Sequence, residues 1–303
     1  MRGDLLNGFE KGRTDRLTRW LRIGQRLDYP LYLIRRNPLT LFGLAVVLLF
    51  VLVGAIAPWI ATHDPKATSP IHALEPPSSR FLFGTDQYGR DVFSRVVYAC
   101  RMDLFIALTS VGLAFLIGTS IGAISGYYGG LLDVFSMRVI EVLMAFPPFI
   151  LAMGMAAALG VGTANIIYVV ALIQIPIYVR LARAEILSAK ERPYAEAARC
   201  VGNPGPVIIF SHLLPNCLPP LLVQVALNMS WAILNAAGLS FIGLGVRPPT
   251  PEWGSMINEG MGFMMAGKWW LFAFPGAAIF VTILAFNLLA DGLRDIFDPR
   301  LRW

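Results

Sequence analysis

Apolar and polar positions alternate along this chain in long blocks. Six apolar blocks stand out, at 39–61, 103–126, 134–158, 166–187, 218–242 and 269–290. An α-helix rises about 1.5 Å per residue, so a block of roughly 20 residues reaches across ~30 Å of hydrocarbon. No water serves the backbone amides inside lipid, and a helix satisfies them within its own segment. The pattern therefore predicts an all-α membrane protein with six transmembrane helices. The remaining residues divide into a polar arm at 1–38, a proline-rich segment at 62–101 after the first span, and a core at 102–303. That core holds the other five spans and a polar insert at 188–217.

The insert has its own local grammar. Pro193 suits the first position of a short helix, where its missing N–H is not needed, and Glu196 falls in the first turn, where the helix dipole favours a carboxylate. Gly202 is placed to end that helix in a left-handed turn, and Asn203-Pro204 forbids continuation. A second short helix is expected from Pro206 to Leu214, closed by Pro215.

Polar and small residues inside the spans add detail. Gly118, Gly122 and Gly126 recur every four residues and clear one helix face for a close neighbour. The run Gly126-Tyr127-Tyr128-Gly129-Gly130 predicts a tight turn, after which Asp133 can cap the next helix. Arg138 and Glu141 lie one helical step apart in the third span, and Phe146-Pro147-Pro148 kinks it. This pair either borders a watery route or forms a buried structural ion pair. Gln224, Asn228, Trp231 and Asn235 advance by four, three and four residues, so they share one helix face. That face is either a translocation route or hydrogen-bonded glue between helices.

Composition agrees with the pattern. The chain of 303 residues is 56% hydrophobic and 15% charged, with a mean hydropathy of +0.62. The net charge of +6 reports loop topology, because no basic patch interleaved with aromatics points to nucleic acid. Eighteen basic residues fall in the arm, near Asp133, around Arg180 to Arg199 and at the end, against seven in the opposite loops. Six spans with both termini in the cytoplasm satisfy the positive-inside tendency. The arm lies as an amphipathic helix on anionic lipid, at 16–33, or remains a disordered leader. Cys100, Cys200 and Cys217 are unclustered, and His63 and His72 lack a second ligand at metal spacing, so no metal site is expected. No cleavable signal peptide precedes the first span.

Two motifs imitate enzymes. Gly118-x-Ser120-x-Gly122 lacks the strand-to-helix turn and the His and Asp partners of a hydrolase elbow. Gly262 to Gly267-Lys268 lacks the Ser/Thr and the preceding strand of a phosphate loop. A membrane-embedded enzyme would also need an aspartate pair, a Ser/His pair or HExxH in the spans, and a stand-alone channel would not need a glycine-hinged loop.

Glu196-Ala197-Ala198, then Gly202, then His212-Leu213-Leu214-Pro215 resembles the cytoplasmic coupling loop of bacterial ATP-binding-cassette importer permeases. Histidine at 212, where the general pattern has isoleucine, resembles the C-type permease of the dipeptide/oligopeptide/nickel branch. So do FGTDQYGRDVFSR after the first span, MRVIEVLMAFPPFIL in the third, Pro248 to Gly254, and NLLADGLRDIFDPR near the end. The resemblance implies a type I importer-like fold in the bacterial inner membrane. It implies ATPase coupling through Tyr194, Glu196, Ala197, Ala198, Gly202, His212, Leu214 and Pro215. It implies a route bordered by Gln224, Asn228, Trp231, Asn235, Arg138 and Glu141. Asp86, Arg90, Asp91, Glu252 and Trp253 would face an external solute-binding protein, although the carboxylates and arginines of that outer segment can instead pair into a folded cap. The implied partners are a second homologous permease, two ATPase subunits holding ATP and magnesium, the binding protein and membrane lipid; this chain would bind no cofactor. The implied solutes are di- and oligopeptides, with nickel chelates, glutathione or another small polar solute as alternatives.

Overall fold

The structure, a computed structural model, describes residues 38–297, and its regular elements are helices. The basic arm and the last residues of the expected ending lie outside the described residues.

The first span is α1, Pro38–Ala55, continued after a one-residue break by the short α2, Ala57–Ile60. The second, α3, runs from Val92 to Tyr128, so it starts well before the expected Asp103. Asp91 explains the start: its carboxylate accepts from the Ser94 amide at 2.9 Å, the hydrogen bond of an N-cap. Gly129 and Gly130 turn the chain with positive φ into α4, Gly130–Met144. Asp133 is not that helix's cap; the helix begins three residues earlier, and the carboxylate reaches across to Arg183.

The third span is broken outright rather than kinked. Helix α4 ends before Pro147, and α5, Pro148–Leu159, leaves it at 88°. Helix α6, Thr163–Ala189, crosses next, followed by the short α7, Pro193–Cys200. The expected separate helix closed by Pro215 does not exist. Residues Gly205–Phe241 form one continuous helix, α8, and a π-type turn at Ile208–Leu213 carries it past Pro215. Widening of the helix just ahead of a residue that lacks an amide donor lets it continue at modest cost. An outer helix α9, Trp253–Met261, precedes the last span α10, Trp270–Phe297.

Among the described residues, α1, α3, α6, α8 and α10 are long and apolar enough to cross a membrane, and α4 with α5 supplies a sixth crossing if it is one broken span. The glycine face performs as the spacing predicts. A Cβ on Gly118 would lie 2.7 Å from that of Tyr178, one on Gly126 would lie 3.0 Å from the Arg183 carbonyl, and one on Gly122 would collide with the Val179 carbonyl. Helices α3 and α6 therefore lie backbone to backbone. Around this pair the core closes with Ile106, Val111, Ala114, Val170, Leu221, Ile233 and Leu239.

Candidate functional site

At one end of the bundle the polar insert folds against the ends of α3 and α6. Pro193 opens α7, and Arg199 sits in its last turn, where a cation complements the dipole. Ala195 and Ala198 are buried with Ala123, Ile186, Ile208 and Leu213. The opposite face is exposed and carries Tyr194, Glu196 and Ala197, with Val201 82% exposed at its tip. Burial holds the Tyr194 hydroxyl above its ordinary pKa.

Gly202 ends the helix with φ +84, and its amide donates to the Arg199 carbonyl at 2.9 Å. A Cβ there would meet nothing within 4 Å, so backbone conformation and not crowding calls for glycine. The loop is fastened on both sides. Asn203 donates through its amide and side chain to the Ala198 carbonyl, at 3.3 and 3.2 Å, and Lys190 Nζ donates to the Gly126 carbonyl at 3.0 Å. The eight residues assigned to coupling thus divide. Tyr194, Glu196, Ala197, Gly202 and Pro215 face outward, His212 and Leu214 are half-buried, and Ala198 is packed inward, because a helix resting on a core must bury every third or fourth residue.

Beside this loop, α4 and α6 line an open groove of about 620 Å³. Arg138 donates to Glu141 at 2.8 Å, and Arg183 holds Asp133 with two bonds of 2.5 and 2.6 Å. The sequence pairs Arg138 with Glu141 by helical spacing, but Asp133 and Arg183 are fifty positions apart and carry no local signal.

The polar stripe of α8 is not one face in environment. Asn228 and Asn235 are buried, Gln224 is half-buried, and Trp231 is 59% exposed. Gln224 donates to the Asn228 side-chain oxygen at 2.8 Å, and Asn235 donates to the Trp231 carbonyl at 2.7 Å. The shared helical angle is real, but α6 covers part of it: Gln174 reaches the Asn228 carbonyl at 3.5 Å.

At the other end, residues 62–91 and α9 form a folded cap. Asp86, Arg90, Asp91, Glu252 and Trp253, expected to face an external protein, are all buried inside it. Arg90 bonds Asp86 and Glu259 at 2.6 Å each, and Arg95 bonds Glu259 at 3.2 Å. Glu252 caps α9 by accepting from the amides of Gly254 and Ser255, while the Trp253 amide donates to Asp103 at 3.1 Å. Burial pushes the Glu252 carboxyl above the usual carboxylate range, against the pull of those two amides. Charged groups this deep must be satisfied: Arg90, Arg95, Asp86 and Glu259 pair with one another, Asp91 accepts from Ser94 and Thr62, and Glu252 accepts from amides, so they build the surface's support and not the surface itself. Glu259 closes the network from a position 169 residues after Arg90, which no motif spacing reveals.

Residues 118–303 match the family described as binding-protein-dependent transport system inner membrane component. Residues 33–77 match the N-terminal transmembrane domain of oligopeptide transport permease C. A dipeptide transport system permease protein of Haemophilus influenzae is 41% identical over 274 residues, covering 88% of this chain and 92% of the relative. A di/tripeptide transport system permease protein of Pseudomonas aeruginosa is 40% identical over 88% of this chain and 89% of its own length. A glutathione transport system permease protein of Pectobacterium atrosepticum is 40% identical, with coverages of 84% and 85%.

Proposed function

This chain belongs to the binding-protein-dependent transport system inner membrane components, and on that premise we propose that it forms half of a peptide route whose opening is driven through α7. Its relatives carry dipeptides, di/tripeptides and glutathione in their names; di- and oligopeptides are the solute class assigned here. A second permease completes the route, two ATPase subunits bind ATP and magnesium, and an external binding protein delivers the solute. This chain supplies no hydrolysis. It sits in the bacterial inner membrane with α7 and both termini on the cytoplasmic side, in keeping with the basic residues that flank α7.

The observation that carries this reading is the exposed face of α7, with Glu196, Val201 and an open, left-handed Gly202 at its tip. An apolar tip beside a carboxylate, held by an inward row of alanines, is a rigid knob suited to a socket on a partner. Arg138, Glu141 and Trp231, exposed on this chain, border the route, while Asn228 and Asn235 are buried within this chain, their side chains bonded inside α8.

The test is Gly202→Asp. Any L-residue at φ +84 is strained by about 1–2 kcal/mol, which a helix-end turn tolerates. Since a Cβ meets nothing within 4 Å among the described residues, the permease should insert and pair normally. It should nevertheless lose co-purifying ATPases or binding-protein-stimulated ATP hydrolysis in vesicles. Wild-type attachment together with wild-type stimulation would exclude this turn as the transmission point.

A further inference from the structure

Within the groove between α4 and α6 the charges do not balance. It presents three guanidinium groups, Arg138, Arg180 and Arg183, against two carboxylates, Asp133 and Glu141. Arg183 is bound to Asp133 and Arg138 to Glu141. Among the described residues Arg180 has no carboxylate in reach; its guanidinium points at the Met144 sulfur, 3.6 Å away. Arg180 and Arg138 lie between two and three turns inside their apolar helices, away from the helix ends. From Ala189 back to Arg180, α6 rises about 14 Å, and from Gly130 to Arg138, α4 rises about 12 Å. A cation this far inside a spanning helix must meet water or an anion, because lipid solvates it poorly. Arg180 is exposed on this chain, beside the 88° break that ends α4.

We propose that Arg180 is a transit site for the free α-carboxylate of a peptide, with the Oε1 of Glu141, whose Oε2 stays with Arg138, facing the peptide's ammonium group. This rests on the peptide-importer reading above and deepens it. A guanidinium matches a carboxylate in a planar, two-bond arrangement. The groove of about 620 Å³ admits a zwitterionic dipeptide with its water. The adjoining ion pairs keep Arg138 and Arg183 occupied, so one cation is left for one carboxylate. Contact at an open site of this kind is weak, as passage requires.

The test uses the purified importer complex and phenylglyoxal, which modifies accessible arginines, with modification of Arg180 followed by mass spectrometry. Glycylglycine at about twice its dissociation constant should slow modification of Arg180 about threefold. Glycylglycinamide, which lacks the carboxylate, should not. In vesicles, Arg180→Gln should lower peptide taken up per ATP hydrolysed about fivefold, the effect of one exposed charge-assisted bond, and Arg180→Lys, which keeps the charge and loses the two-bond geometry, should fall between wild type and Arg180→Gln. Equal protection by the amide overturns the site, and so does an unreactive Arg180, which would be covered by protein. Unchanged uptake per ATP in Arg180→Gln overturns it too. ATPase attachment and stimulated hydrolysis report on the importer reading separately, so their retention alongside any of these results sinks the carboxylate site alone.

Discussion

Glu259→Gln removes one charge from the outer cap and keeps the side chain's shape. Two arginines lose their partner: Arg90, 3% exposed and 2.6 Å away, and Arg95, 1% exposed and 3.2 Å away. They are not equally harmed. Arg90 keeps Asp86 at 2.6 Å, whereas Arg95 keeps only a 3.6 Å approach to Asp86 and already has one guanidinium nitrogen without a hydrogen bond. Breaking one side of a buried ion pair costs roughly 3–5 kcal/mol. Glu259 is itself 16% exposed, so the lower end applies, about 3 kcal/mol for opening the cap. At about 1.4 kcal/mol per tenfold, this raises the open population roughly a hundredfold. Amide hydrogen exchange reads it directly at Leu74 and Asp86, whose amides are held by Asp86 and Arg90 carbonyls at 3.0 Å each. Adding Arg95→Met should recover most of the loss, because an apolar side chain of similar length needs no partner. Exchange at those two amides within about threefold of wild type in Glu259→Gln would refute the account, since that corresponds to well under 1 kcal/mol.

Two further outcomes follow from the same geometry. Gly122→Leu should separate α3 from α6, at a cost of about 1–3 kcal/mol in thermal stability of the purified chain, whereas Gly112→Leu, where an added Cβ meets nothing within 4 Å, should leave it unchanged; equal effects would sink the close-approach argument. The raised carboxyl of Glu252 means that the folded cap keeps a proton which the unfolded chain has already released. Cap stability should therefore be full below the unfolded carboxylate value of about 4.3 and fall as pH rises through the folded value. Exchange at Gly254 and Ser255, corrected for intrinsic rates, measures the slope; Glu252→Gln should flatten it, and stability that rises with pH in that window would contradict the assignment.

Spans and their packing face were legible because both depend on local period. Roughly 20 apolar residues can do little but cross, and glycines four apart fall on one helix side whatever they meet. The start of α3 was not legible. Arg95 and Arg101 make residues 92–101 look like loop, and nothing nearby announces that Glu259 neutralises Arg95. Of the two readings of the outer segment, the paired cap is the one the structure has, and the outward-facing placement of Asp86, Arg90, Asp91, Glu252 and Trp253 is not, because a carboxylate reads as surface until all its partners are known and Glu259 lies far off in the chain. Pro215 looked like a stop, yet a π turn defeats that rule without leaving a mark in residue spacing. In the insert, reading succeeded where backbone conformation decides, at Pro193 and Gly202, and failed to foresee that the Glu196-Ala197-Ala198 triplet is split by helical angle.

The two ends of the bundle are joined by one stiff path. Helix α3 begins in the cap, where Asp91 caps it through Ser94 and Arg95 is locked into the charge network, and it ends beside the insert, where Ala123 packs with Ala195, Ala198 and Leu213. From Gly118 to Gly126 the glycine face leaves no slack between it and α6. A packed interface of this kind moves as a body or not at all. Helices α4 and α5 are the opposite case: their helical continuity is interrupted at Pro147, and the charged groups of α4 face a groove. If α7 is driven as proposed, α3 and α6 are expected to tilt together with the cap, and the compliance that such tilting requires is expected at the break between α4 and α5, where Arg180 and Glu141 line the groove.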